Sequence, residues 1–231
     1  MSAEKAAPYT GADMLDEILR GRFSCRGYKP DPVPRAVIER ILAMAQQVPS
    51  WCNAQPWKLE IASGKAIERF RAGLRAAVEA GAAKPDFPWP SAYEGIYLDR
   101  RRTCGFQLYD AVGVQRGDRA ASARQAMRNF DLFDAPHVAV IHSPQSLGVY
   151  GAVDCGGFVA GFTFAAHSLG VATIPQAAIA PYAPFIREFF GLPEDRLIVC
   201  GISFGYADMA APANAFRTGR AGLAEIASWH E

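Results

Sequence analysis

Two short segments near the start of the chain hold the side chains best suited to act together. Arg22-Phe23-Ser24-Cys25-Arg26 sets two permanent cations and a hydroxyl at alternate positions. In an extended segment alternate side chains share one face, so Arg22, Ser24 and Arg26 can converge on a single anion. The guanidinium fork matches phosphate oxygens two at a time. Read alone, the same arginines serve equally well as charges complementing a helix C-terminus, or as solvated loop residues. The second segment, Pro49 to Trp57, places Asn53 and Gln55 among two prolines and the indoles of Trp51 and Trp57. That is a stiff loop with amide donors and acceptors beside flat apolar surface, although Asn53 and Gln55 are also ordinary turn formers. One ligand would answer both segments: a planar, hydrogen-bonding ring carrying a phosphate tail.

Other reactive side chains carry less. Cys52 lies in the second loop with no histidine near it in sequence, and an unpaired cysteine is usually a packing residue. His137, His142, His167 and His230 read as core or surface residues. Arg217 and Arg220 gain meaning only if the tail folds back onto the anion held by Arg22. No two glycines are separated by a single residue, so G-x-G-x-x-G cannot occur, and G-x-x-x-x-G-K-[ST] is missing too. A phosphate here must be held by side chains and helix ends. H-E-x-x-H is also absent, against the common zinc-protease chemistry.

The elements that must position these groups can be read from capping and periodicity. Thr10 with Asp13 starts a helix that Gly21 ends, and Pro34 opens a second with Ile38, Ile41, Leu42 and Ala45 on one stripe. A strand is expected over Trp57–Ala62, then a helix through Ile67, Phe70, Leu74 and Val78. From Lys84 to Asp99 periodicity fails in a stretch of prolines and aromatics. A connection of that length suggests a lid or binding element. Helices are expected over Arg100–Val114 and Asp118–Phe130, and a strand over His137–His142. A long small-residue helix then spans roughly Tyr150–Leu169. A strand at Val171–Ile174, a helix at Pro181–Phe190 and a strand at Leu197–Phe204 follow, with an arm over 207–231. Helices and strands mix without strict βαβ alternation, so the class is α+β in a single domain over 1–231.

The 231 residues are half hydrophobic, with 24 basic against 23 acidic side chains. A formal charge of +1 gives no reason to expect nucleic acid or an anionic membrane as partner. Five dispersed cysteines with no C-x-x-C pair argue against a disulfide framework and a structural zinc site. Met1 to Gly11 has no apolar core of signal-peptide length, and no run is expected to reach the ~20 apolar residues of a membrane span. The expected setting is cytoplasmic.

Flavin mononucleotide fits the ring-and-phosphate description. Taken in order, the motifs resemble those of the FMN-dependent nitroreductase family: R-x-S-x-R, P-S-x-x-N-x-Q-P-W, Tyr150…Asp154…Gly156, His167-Ser168-Leu169-Gly170-Val171, Ile174-Pro175-Gln176, Gly191-Leu192-Pro193, Gly201–Gly205 and R-T-x-R. The resemblance covers about Asp13 to Arg220. It implies a three-layer α+β fold, a central mixed sheet flanked by helices, in an intertwined homodimer with two FMN sites at the interface. By position, Arg22, Ser24 and Arg220 would hold the phosphate with Arg217 assisting, Phe23 beside them, and Arg26 at the N1/O2 edge. Asn53 and Gln55 would meet the polar edge or ribityl chain. Main chain over Pro175, Gln176, Ala177 and Ala178 would lie near N5 and O4. Trp51, Phe87, Trp89 and Tyr93 would face a small aromatic substrate, with 84–99 as its lid. The implied activity is a ping-pong cycle in which NAD(P)H reduces nitroaromatic or similar electron-poor acceptors. Reduction of enones or quinones, aromatic dehalogenation, flavin fragmentation and non-catalytic flavin binding are the alternatives.

Overall fold

A computed structural model describes residues 9–231. Residues 1–8, part of the stretch read as lacking a signal-peptide core, lie outside the described residues. Helix α1 (Gly11–Gly21) begins at a capping box in which Thr10 and Asp13 exchange side-chain and main-chain hydrogen bonds. Helix α2 (Arg35–Ala45) starts after Pro34 and buries Ile38, Ile41 and Ala45, the stripe its spacing predicts. Strand β1 (Lys58–Ser63) and helix α3 (Lys65–Glu79) follow, then α4 (Gly95–Ala111) and α5 (Arg119–Met127). Strand β2 (His137–Pro144), helix α6 (Gly148–Ser168), strand β3 (Ala172–Gln176), helix α7 (Ala183–Phe190) and strand β4 (Arg196–Gly205) build the centre, and the short α8 (Leu223–Ile226) lies in the C-terminal arm.

The four strands run in the order β1-β2-β4-β3, every neighbour antiparallel. The mixed character expected of the sheet rests on one parallel bridge, Ser24 beside Thr173 on the outer edge of β3. β2 is buried on both faces, and its side chains alternate between two cores. Ala139 and Ile141 join Phe158, Phe162 and Ala166 of α6 and the stripe of α2. Val138 and Val140 join Ile67, Phe70 and Leu74 of α3 and Ile186 of α7. The result is helix, sheet, helix. In β4 the pairing slips between Ile141 and His142, whose partners are Cys200 and Ile198. The unpaired Val199 is a bulge, and it turns Ile198 toward the α3/α7 core while Cys200, Ile202 and Phe204 face α6.

Two expectations are corrected. The irregular stretch read over Lys84–Asp99 ends sooner, because α4 begins at Gly95, whose φ of 50° lets the chain turn into the helix. α4 buries none of its residues, so no apolar period marks its start. The stretch Gln145–Ser168, which contains an 18-residue window of mean hydropathy 1.3, is long and apolar enough by length and composition to cross a membrane, where the sequence reading expected no such run. Its apolarity has a local cause, since Cys155, Phe158, Phe162 and Ala166 form the floor of one core.

Candidate functional site

The arginine segment becomes a site through what holds it from behind. After α1 ends, residues 22–26 run alongside β3: Ser24 bridges Thr173, and the Cys25 N–H donates to the Thr173 carbonyl at 3.0 Å. Cys25 is wholly buried, which leaves Arg22, Ser24 and Arg26 half-exposed on the other side. Gly21 is required by packing, because a Cβ there would meet the ring of His167 on α6.

The C-terminal strand end is brought to the same place. Tyr28 bridges Ala207, and the Asp208 N–H donates to the Gly27 carbonyl at 3.0 Å. Gly27 has no side chain because a Cβ would land on the Ala211 methyl. Asn214, 1% exposed, locks the crossing. Its Oδ1 accepts from the Arg26 N–H at 2.7 Å, and its Nδ2 donates to the carbonyls of Gly27 and Asp208 at 2.9 and 2.8 Å. Arg217 follows within three residues, its guanidinium 3.8 Å from the Phe23 ring centroid, and Arg220 lies just beyond.

Arg22, Phe23, Ser24, Arg26, Arg217 and Arg220 therefore line one cavity of about 880 Å³, with Cys104 from α4, Phe164 from α6, Phe216 and Thr218 completing its wall. Among the described residues, Arg22, Arg26, Arg217 and Arg220 form no salt bridge with a carboxylate. Asp16 and Arg20 at the rim pair with each other. The Nε of Arg22 is buried without a hydrogen-bond partner. Burial, and then the charge of Arg220, lower the Arg22 pKa, and burial lowers that of Arg26. Four like charges with no carboxylate partner of their own, and an orphaned buried donor among them, make a cradle suited to an anion.

Other residues singled out from the sequence lie outside this cavity. Trp51, Asn53 and Gln55 sit on an exposed 3-10 turn whose Cys52, Asn53 and Gln55 have φ of 48°, 55° and 46°. Asp154 on α6 holds the turn by accepting from the Trp51 N–H at 3.1 Å, and the Gln55 amide donates to Asn53 Oδ1 at 3.0 Å. Pro175 and Ala177 are exposed and Ala178 half-buried at the end of β3. The Gln176 side chain turns inward: it donates to the Asn129 carbonyl at 2.8 Å and accepts from the Ser203 hydroxyl. Phe87 is half-buried, while Trp89 and Tyr93 are exposed. Sequence reasoning missed Asn214, Cys104, Phe164, Phe216 and Thr218. Asn214 had the only available signal, a lone amide in a Pro/Ala-rich turn.

The family model for the nitroreductase family matches residues 19–206. Nitroreductase NfnB of Mycolicibacterium smegmatis is 33% identical over 215 residues, 93% of this chain and 92% of that protein. A 4-nitrobenzoate reductase of Pseudomonas putida is 31% identical, covering 90% of this chain and 92% of the relative. The crystal structure of the FMN-dependent nitroreductase NfnB from Mycobacterium smegmatis in complex with NADPH superposes with a TM-score of 0.90 at 32% identity, over 95% of this chain and 99% of that one. With an α+β sheet layered between helices and a match across most of its length, this chain belongs to the nitroreductase family.

Proposed function

We propose that this protein is an FMN-dependent oxidoreductase that takes reducing equivalents from NAD(P)H and delivers them to nitroaromatic or similarly electron-poor acceptors. The observation that carries the reading is the convergence of Arg22, Ser24, Arg26, Arg217 and Arg220 on one cavity, with the buried Arg22 Nε left partnerless. A phosphate monoester supplies the negative charge that these arginines lack and an acceptor for the Arg22 Nε. FMN, when bound, supplies the two-electron chemistry, accepting from the nicotinamide and giving to the acceptor in turn.

In this reading Arg22, Ser24 and Arg220 hold the phosphate, with Arg217 stacked on Phe23 beside them. Arg26, fixed through its N–H by Asn214, stands at the edge where the reduced ring gathers negative charge and stabilises it electrostatically. Main chain at Pro175–Ala178 serves the ring's polar edge, since the Gln176 side chain is committed to the core. No side chain is assigned as nucleophile or general acid.

The ring site is completed by a second copy of the chain. The exposed turn carrying Trp51, Asn53 and Gln55 holds left-handed φ at Cys52, Asn53 and Gln55 while its side chains stay open to solvent, a pattern found where a partner or ligand completes a site. Beside it Val149, Tyr150 and Val153 of α6 are 66%, 66% and 63% exposed, and Trp51 lies 6.0 Å from the Tyr150 ring. An apolar face of this kind needs a cover. Homodimerisation brings the turn to the partner's ring site. The chain acts as a single domain, with 84–99 as substrate lid, Trp51, Phe87, Trp89 and Tyr93 facing the small aromatic acceptor, and 207–231 as arm. Five free cysteines, three of them buried, suit a reducing cytoplasm.

The test begins with purified protein. A yellow preparation releasing a ligand with the mass of FMN, sedimenting as a dimer and oxidising NADPH on addition of 4-nitrobenzoate is the expected result. Failure to take up FMN even after reconstitution overturns the reading.

A further inference from the structure

A buried ion pair remote from the arginine cradle remains without a role. Asp86, at the foot of the aromatic segment, and Arg187 on α7 meet at 2.7 Å with side chains 10% and 9% exposed. The same Asp86 oxygen accepts the Ile198 N–H at 2.8 Å, at the bulge of β4, and Arg187 also donates to the Arg196 carbonyl at 3.0 Å. Two residues earlier, the Lys84 N–H donates to the Pro181 carbonyl, which ties the same foot to the turn following Gln176–Ala178. Past this point burial fades: Phe87 is half-buried, and Trp89 and Tyr93 are 53% and 43% exposed. The segment then ends at Gly95, whose left-handed φ opens α4.

A buried ion pair adds little net stability over apolar residues of similar volume; what it fixes is geometry. Here it fixes one foot of an exposed flap of aromatics, against the end of the site where the ring's polar edge is placed. We propose that Asp86 and Arg187 form a latch that sets the pose of the 87–94 flap and so act as positioning residues for acceptor selection. The inference rests on the reading of this segment as the acceptor lid.

Asp86→Asn keeps an oxygen for the Ile198 N–H and leaves the buried guanidinium with only the exposed carboxylate of Glu194, 3.6 Å away, as counter-charge. FMN content, stopped-flow reduction of the bound flavin by NADPH, and turnover with 4-nitrobenzoate and with the smaller p-benzoquinone are compared with the wild type. The expected result is a loss of about tenfold in kcat/KM for 4-nitrobenzoate, carried mainly by KM. FMN content, flavin reduction and p-benzoquinone turnover stay unchanged. Chymotrypsin cuts at the flap aromatics faster. If Asp86→Asn does not fold, Asp86→Leu combined with Arg187→Met removes both charges together, and the same pattern is expected. Unchanged 4-nitrobenzoate kinetics, or an equal loss in both acceptors and in flavin reduction, overturns the latch. If the wild type takes up no FMN, the parent reading fails separately, and proteolysis decides the latch: faster cleavage supports it and unchanged cleavage overturns it.

Discussion

The arginine cradle and the 51–55 turn both put polar side chains on irregular backbone, and they differ in what stands behind them. The cradle is backed by β3, by Cys25 and by the three hydrogen bonds of Asn214, so its cations are presented by a rigid wall. The turn is capped by Asp154 from one side only, and all five of its residues are exposed. One chain thus backs its arginine cavity fully and leaves the 51–55 turn open to solvent. The phosphate end of the proposed site should therefore respond to substitutions within a chain, and the acceptor end to whatever covers the exposed aromatics.

The largest effect is expected at the cradle. Arg22→Ala removes the buried donor and should weaken FMN binding about 100-fold, or about 2.8 kcal/mol, in a fluorescence titration. An affinity within experimental scatter of wild type would move the phosphate elsewhere. Asn214→Ala leaves the Arg26 N–H unpaired and takes one donor from each of the Gly27 and Asp208 carbonyls, which keep the Asp208 and Ala211 N–H groups, so stability in urea should fall by about 2 kcal/mol, with FMN affinity falling alongside. Loss of stability with full affinity would show that the arm is not what places Arg217 and Arg220. Arg26→Ala should lower the potential of the bound flavin and slow its reduction by NADPH, on the order of 30 mV for each 1.4 kcal/mol of lost stabilisation. An unchanged potential by dye equilibration would remove Arg26 from the ring edge.

On the outward-facing side, Trp89→Ala should change the ratio of kcat/KM between acceptors severalfold and leave FMN affinity intact; equal loss of both would erase the distinction between the two regions. The smallest effect is acid sensitivity. Burial lowers the pKa of His137 and His142, and burial with the Arg22 charge lowers that of His167, which packs against Gly21 behind the cradle. The unfolded chain then binds more protons than the folded one, so stability is present above the ordinary histidine range and is lost as pH falls through the lowered folded values. Urea unfolding at descending pH should show this slope, and His167→Gln should flatten part of it.

Much of the scaffold was legible because its signals are local. The capping box of α1, Pro34 before α2, the stripes of α2 and α3, and the glycine after α7 each act within a few residues, so composition and spacing announce them. The alternation that turns Arg22, Ser24 and Arg26 to one side is equally local. α4 was misjudged because it buries nothing and so has no apolar period to read. The mixed sheet was expected from resemblance, and its antiparallel order became visible only in three dimensions.

The sequence by itself determined which residues could meet an anion, because charge, hydroxyl and spacing are properties of a short segment. Tertiary structure decided that they line one cavity together, through an asparagine 188 residues from the main-chain N–H it holds. It likewise put Asp86 beside Arg187, 101 residues away, and turned Gln176 inward. A contact across that span is paid for by the packing of the whole sheet, and nothing in the intervening residues needs to signal it.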